Sequence, residues 1–330
     1  MNVITEKIYQ FKIPEGKRKE RLDVFLTHAI ENSTRTKVQA LIKNGFVKVN
    51  GKIVKPSYQL YPDDVIEVKI PIKPRPEKVL PEPIPLNIVY EDDDIIIINK
   101  PAGMVVHPAL GNYTGTLVNA LLYHTQNLSK TNNVERAGIV HRIDKNTSGL
   151  LVIAKNDIAH YKLAKQFAQH TIEREYWAIV WGHFNKPDGI IESNIGRSKS
   201  DRKKFAVVKE GKPAITLYQV LEEFEYLTLL KLNLKTGRTH QIRVHLSHIG
   251  HPVFGDPTYG GRKIHYVNIN TGIKNEVEHL LSIMKRQALH AKTIGFIHPR
   301  TEEFIKFDSD LPQDMNELLS FLQQNKKLID

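Results

Sequence analysis

The feature that most limits what this chain can fold into is the run Pro71, Pro74, Pro76, Pro81, Pro83 and Pro85. Proline fixes φ and removes a backbone donor, so such density favours an extended, semi-stiff connector over packed structure. The chain is therefore expected to divide at a linker spanning 71–85, with a small unit at 19–70, a polar extension at 1–18 and a large unit at 86–326.

In the small unit, Leu22, Phe25, Leu26, Ala29 and Ile30 recur at helical spacing, which predicts a short amphipathic helix. Ser33 or Thr34 can cap a second helix. Its apolar face is Val38, Leu41 and Ile42, its wet faces carry Arg35, Lys37 and Lys43, and Gly45 stops it. Phe46–Val49, an Asn50-Gly51 turn and Lys52–Val54 read as a hairpin, and Val65–Ile70 as a further strand.

Beyond the linker, β-like runs at Ile95–Ile98, Leu150–Ile153, Tyr176–Val180 and Leu227–Leu232 alternate with helical stretches at 117–124, 158–169 and 314–324. That is an α+β chain whose large unit mixes helices with a sheet. At 330 residues and 41% apolar content it can bury a large core. Lysine and arginine exceed aspartate and glutamate by 47 to 36, a formal +11 that suits a polyanionic partner such as nucleic acid. The absence of cysteine excludes thiolate metal sites and cysteine nucleophiles, and fits a reducing compartment. The opening residues lack the apolar core of a secretory signal, and the longest apolar run, Ile95–Ile98, is too short to span a bilayer. A cytoplasmic protein with no membrane partner is expected.

The densest polar and turn-forming cluster set in apolar sequence runs from Gly138 to Lys155 and contains His141-Arg142-Ile143-Asp144. A kinase catalytic loop needs the aspartate directly after the arginine, and here Ile143 intervenes. Taken alone, the tetrapeptide is better read as a strand-end turn in which Asp144 caps Asn146 or Thr147 and Arg142 forms a salt bridge. A second motif is Lys235-Thr236-Gly237-Arg238-Thr239-His240-Gln241-Ile242-Arg243-Val244-His245-Leu246, where Thr239 can cap a helix with Arg238 at its mouth. A third is Arg174-Glu175-Tyr176, opening a strand. His240, His245, His248 and His251 lack i, i+4 spacing and an interleaved acidic residue, so they read as surface or RNA-facing side chains and no metal is expected.

These three motifs, in this order, resemble the RluA-type ribosomal large-subunit pseudouridine synthases, in particular the RluD-like branch with an N-terminal S4 domain. The resemblance extends through Asn99-Lys100-Pro101, Gly115-Thr116-Leu117, Gly211-Lys212-Pro213, Gln287-Ala288-Leu289-His290 and His298-Pro299. The small unit is similar to S4 domains in Arg21-Leu22-Asp23, in Leu41 to Gly51, and in Asp64-Val65-Ile66; Asp63 stands where glycine is usual.

The resemblance implies a largely antiparallel central sheet and an isomerase that converts uridine to pseudouridine in structured RNA without a cofactor. It makes Asp144 the catalytic carboxylate, Tyr176 the ring that stacks on the flipped uracil, and Arg142 the side chain that fills the gap left in the stack. Arg238 fits as the cation keeping Asp144 charged. His141, Thr147, His240, Arg243 and the basic pair Lys203 and Lys204 are expected to contact substrate, and Arg35, Lys37 and Lys43 to contact RNA from the S4-like unit. The implied partner is large-subunit ribosomal RNA or a ribosomal precursor particle, met by a monomer in ribosome biogenesis. The rival expectation is a noncatalytic RNA-binding assembly factor.

Overall fold

Two stretches of chain bury their apolar residues separately, and the break between them falls at Glu77/Lys78, inside the proline-rich segment. The structure, a computed structural model, describes residues 5–16, 19–30, 33–72, 78–109, 111–129, 131, 136–198, 201, 204–265 and 271–326.

The first unit runs β1 (Thr5–Lys12), α1 (Leu22–Ala29), α2 (Arg35–Lys43), β2 (Val47–Val49), β3 (Lys52–Ile53) and β4 (Val65–Ile72). The sheet order is β1-β4-β2-β3, all antiparallel. Leu22, Leu26, Ile30, Val38 and Ile42 of the helical layer pack on Val47, Val49, Ile66 and Val68 of the sheet. Thr34 caps α2 by accepting from the Lys37 N–H at 3.3 Å, while the Ser33 hydroxyl donates to the Ile30 carbonyl. Asn50 and Gly51 take the left-handed φ that the tight turn requires. Asp63 has φ 66°, which explains why glycine is usual there. The expected polar extension is corrected by β1: Tyr9 and Phe11 pack on the core between outward-facing neighbours, so a period-2 pattern lay hidden among polar residues.

Asp23 is fully buried and receives Arg21 at 3.0 Å, Arg35 at 3.1 Å and Gln39 at 2.7 Å. Burial alone would raise its pKa, but these hydrogen bonds together hold the carboxyl well below the usual carboxylate range. Arg35 is therefore tied to its own unit, whereas Lys37 and Lys43 are exposed.

The second unit begins with β5 (Ile88–Glu91), β6 (Ile95–Lys100), α3 (Leu117–His124), β7 (Ser148–Ala154), α4 (Asp157–Ala168) and β8 (Glu173–Trp181). It continues with β9 (Asp188–Arg197), β10 (Phe205–Val207), β11 (Lys212–Glu223), β12 (Leu227–Leu234), α5 (Gln241–His248) and α6 (Thr271–Ile283), then ends with β13 (Leu289–Ile297), β14 (Phe304–Asp308) and α7 (Gln313–Lys326). The sheet order is β10-β9-β11-β12-β8-β13-β7-β6-β5, with β14 also on β13. Among the described residues only β13 and β7 pair parallel, so both strands start at the same end of the sheet.

Both faces of the sheet centre are covered, which is why β6 and β7 are apolar without alternation. Ile96, Ile98, Leu151 and Ile153 face the main core, while Ile95, Ile97, Leu150 and Val152 face a second cluster with Ala159 and Leu163 of α4. Of the expected linker, 71–72 belong to β4 and 73–77 lie outside the described residues. The rest is tied down: Val79 and Leu86 pack on the main core, and α3 holds Leu80 and Glu82 through Asn119. No helix among the described residues is long and apolar enough to cross a membrane.

Gly149, second in β7, has φ 115°, and a Cβ there would lie 2.2 Å from the Ala291 carbonyl oxygen of β13. Both backbone atoms are fixed by the sheet. Gly149→Ala is expected to destabilise the large unit by about 3 kcal/mol or more, read in a denaturant melt; an unchanged midpoint would contradict this packing.

Candidate active site

The loop before β7 is fastened by its backbone and neighbours, which leaves the Asp144 carboxylate out of the turn. The Thr147 N–H donates to the Asp144 carbonyl at 3.1 Å, closing the turn without using the Asp144 carboxylate. The Lys145 carbonyl accepts from the Gly103 N–H and the Lys100 ammonium. Lys100 is fully buried and donates to three carbonyls, those of Pro101, Met104 and Lys145, which matches its three N–H bonds. Burial draws its pKa down to about 7. Arg286, held bidentately by Asp314, donates to the Asn146 carbonyl. Gln287 donates to the Thr147 hydroxyl, and His290 pairs with the Ser148 hydroxyl at 2.9 Å. Four successive residues are thus held from β6, β13 and the segment before β13.

The Asp144 carboxylate meets Arg243, whose Nη1 donates to Oδ2 at 3.0 Å. Arg243 sits on α5 with its side chain 7% exposed, and its Nε and Nη2 donate to Asp256 at 2.6 and 2.9 Å. Asp256 is fully buried and also accepts from the Thr258 and Tyr259 N–H groups. Burial opposes the charge on Arg243, but the two carboxylates overcome it and raise its pKa above the ordinary arginine value. Tyr259 covers the guanidinium, ring centroid 4.9 Å away.

This arrangement corrects the expectation for Arg238. Its Nε donates to the Pro213 carbonyl at 3.0 Å, and Arg243 is the cation beside Asp144. Thr239 does not cap α5 either: the helix starts after His240, which has φ 56°, and the Gln241 amide oxygen takes the Arg238 N–H. His240 bonds the Tyr259 hydroxyl at 2.8 Å and places Nε2 3.9 Å from Asp144 Oδ1. Burial lowers its pKa, with the Asp144 carboxylate opposing.

Around the pair opens a cleft of about 480 Å³, within the range of small-ligand pockets. Arg142, Asp144, Tyr176, Arg238, His240 and Arg243 all line it, as do His141 and Thr147. Tyr176 lies on β8 with 7% exposure; burial raises its phenol pKa, with Arg174 opposing and Asp144 adding to the rise. Arg142 is exposed and reaches the His107 ring at 3.3 Å. His141 accepts from the Val152 N–H and stacks on Phe167, so its ring nitrogen is committed to β7, and burial lowers its pKa to about 3.

Lys204 lies at the start of β10, its ammonium 3.9 Å from Asp201, and neither lines the cleft; Lys203 lies outside the described residues. The expectation that all four histidines are surface-facing fails at His245, which is fully buried between the Ser193 and Thr216 hydroxyls. Among the described residues the group spaced to hold a metal is Asp92, Asp94 and His298, away from the cleft lining. Its oxygens already accept from Arg300, Tyr90, His298 and backbone N–H groups.

Residues 94–248 match the RNA pseudouridylate synthase family and residues 20–66 the S4 domain. The chain is 48% identical to an RNA pseudouridine synthase of Bacillus subtilis, YlyB, over 94% of this chain and 97% of that one. It is 46% identical to the ribosomal large subunit pseudouridine synthase D of Zymomonas mobilis, over 92% and 93%. Among solved structures, human RNA pseudouridylate synthase domain containing 4 superposes with TM-score 0.55 at 25% identity, covering 72% of this chain and 93% of that one.

The two carboxylates on Arg243 differ in what they do for stability. Asp256→Ala would leave a buried guanidinium half-paired and is expected to cost about 3 kcal/mol. Asp144→Ala removes a partly exposed partner and is expected to cost under about 1 kcal/mol. Denaturant titration of both variants checks this, and equal losses would contradict it.

Proposed function

The chain belongs to the RNA pseudouridine synthase family, and from that membership we propose that it isomerises uridines of large-subunit ribosomal RNA with Asp144 as the reacting carboxylate. The observation that carries this reading is the Asp144 carboxylate itself: it opens on the cleft, faces a guanidinium, and is left unused by the turn that presents it.

Isomerisation breaks N1–C1′, turns the uracil, joins C5 to C1′, and moves the proton of C5 away while N1 gains one. No net redox change occurs, and no cofactor is called for. The carboxylate serves either as a nucleophile on the nucleotide or as a base on a path through a glycal, and both begin from its charged form. Arg243 supplies the counter-charge, and Asp256 keeps that guanidinium from swinging into the cleft. Tyr176, on a rigid central strand, stacks on the uracil and offers its hydroxyl for proton transfer. That hydroxyl has no hydrogen-bond partner among the described residues, which supports a partner supplied by substrate.

A uridine inside folded RNA must leave its stack to reach this cleft. Arg142, exposed at the rim two residues before Asp144, suits the vacated position. His240 presents an imidazole to the same space. Lys37 and Lys43 of the S4 domain, Lys204 of the second unit and the overall +11 charge favour the phosphate backbone. Synthase D relatives act, by their names, on the large ribosomal subunit, and this supports the same RNA here, in the cytoplasm. An open cleft with its carboxylate and guanidinium intact favours catalysis over a purely docking role.

Tritium release from large-subunit ribosomal RNA labelled at uridine C5 tests the reading. Wild type is expected to release tritium and Asp144→Asn none above background, with RNA still bound. Tyr176→Phe is expected to slow release by about 10²-fold or more with little change in affinity. Release by Asp144→Asn at the wild-type rate, or none by wild type from bound RNA, would overturn the proposal.

A further inference from the structure

The cleft holds more positive charge than its carboxylates neutralise. Four arginines line it; Arg243 is taken by Asp144 and Asp256, while Arg142, Arg174 and Arg238 have no carboxylate partner among the described residues. Arg174 is the least satisfied of these. It lies two residues before Tyr176 on β8, so both side chains leave the same face of the strand. Its Nη2 reaches the Leu234 and Thr236 carbonyls only at 3.4 and 3.5 Å, the outer limit of a hydrogen bond, and its Nε is buried with no partner. The Phe167 ring lies beneath it at 5.8 Å.

Gly237 carries a second, independent observation. Its φ is outside the left-handed region, and it is exposed, so neither backbone conformation nor burial calls for glycine there. A Cβ at this position would lie 2.9 Å from Arg174 Nη1. The glycine therefore leaves room for the guanidinium at the cleft, next in sequence to Arg238, whose fork is bound only through Nε.

We propose that Arg174, with Arg238 beside it, binds a backbone phosphodiester flanking the uridine that enters the cleft. This rests on the reading that the uridine sits at Asp144. A nucleotide drawn out of its stack brings its two phosphates to the cleft mouth, and a planar guanidinium takes two oxygens of one of them at once. The Arg174 Nη groups, which the protein meets only at the outer limit of hydrogen-bond distance, are then met by substrate. Arg174 is a positioning residue for the sugar and phosphate, distinct from the groups that touch the base.

The test uses a stem-loop of large-subunit ribosomal RNA containing a uridine that wild type converts. It is made with a phosphate or an uncharged methylphosphonate on either side of that uridine. One of the two methylphosphonates is expected to weaken wild-type binding about tenfold. Arg174→Met is expected to bind the unmodified RNA about tenfold more weakly, to lower the salt slope of binding by about 0.7, and to lose nothing further with that methylphosphonate. Gly237→Ala keeps the arginine and its charge but crowds the end of its guanidinium, which a small shift of the side chain relieves, so it is expected to keep the salt slope and to lose less affinity and less of the methylphosphonate penalty than Arg174→Met; Arg174→Lys decides the question if Arg174→Met does not fold. Arg174→Lys should restore the salt slope and only part of the affinity.

Equal methylphosphonate penalties in wild type, Arg174→Met and Gly237→Ala would overturn the phosphate contact while wild-type conversion of the uridine leaves the function standing. Failure of wild type to form pseudouridine in any large-subunit RNA would remove the function and this inference together.

Discussion

Arg243 is the element on which the site depends. A single guanidinium spends two of its N–H groups on the buried Asp256 and a third on Asp144, which stands at the cleft. Removing any member changes the electrostatics of the others, because buried charges are poorly screened. The division is asymmetric. Asp256 is locked by backbone N–H groups as well as by Arg243, so it fixes the arginine; Asp144, held by one hydrogen bond through its carboxylate, is left with oxygen lone pairs for chemistry.

The other half of the device is the loop. Lys100, Arg286, Gln287 and His290 each hold a different residue of 145–148, and the parallel pairing of β13 with β7 brings their attachment points together. Catalytic geometry tolerates displacements well under an ångström, and a loop tied at four successive residues meets that demand in a way that a turn closed by its own side chains does not. Lys100 illustrates the cost: the fold keeps an amine buried and draws its pKa to about 7 in order to clamp three carbonyls.

Legibility in the sequence followed how local the signals were. The helices and hairpin of the first unit rest on caps and turn residues within a few positions, and Thr34, Asn50 and Gly51 are where those rules put them. β1 was missed because its partner β4 is some sixty residues away and its polar residues outnumber its apolar ones. Asp144 stood out as polar residues bounded by apolar strands. Arg243 read as a substrate contact and not as the partner of Asp144, because its two carboxylates lie 99 residues before it and 13 after it, and no local period shows either. Arg238 was the natural alternative, as it sits at the mouth of the helix. The buried place of His245 and the role of Gly237 likewise depend on contacts across the sheet that spacing does not encode.

Asp256 acts on Asp144 through Arg243, the one side chain among the described residues that binds both carboxylates. A cycle of single-turnover conversion rates for wild type, Arg243→Lys, Asp256→Asn and the double variant tests it most directly, with RNA affinity and melting temperature followed alongside. Both single variants are expected to be slowed by about 10²-fold and the double variant to be no slower than the slower single one. Losses that multiply in the double variant would show that Asp256 and Arg243 serve the reaction independently, and would contradict the account.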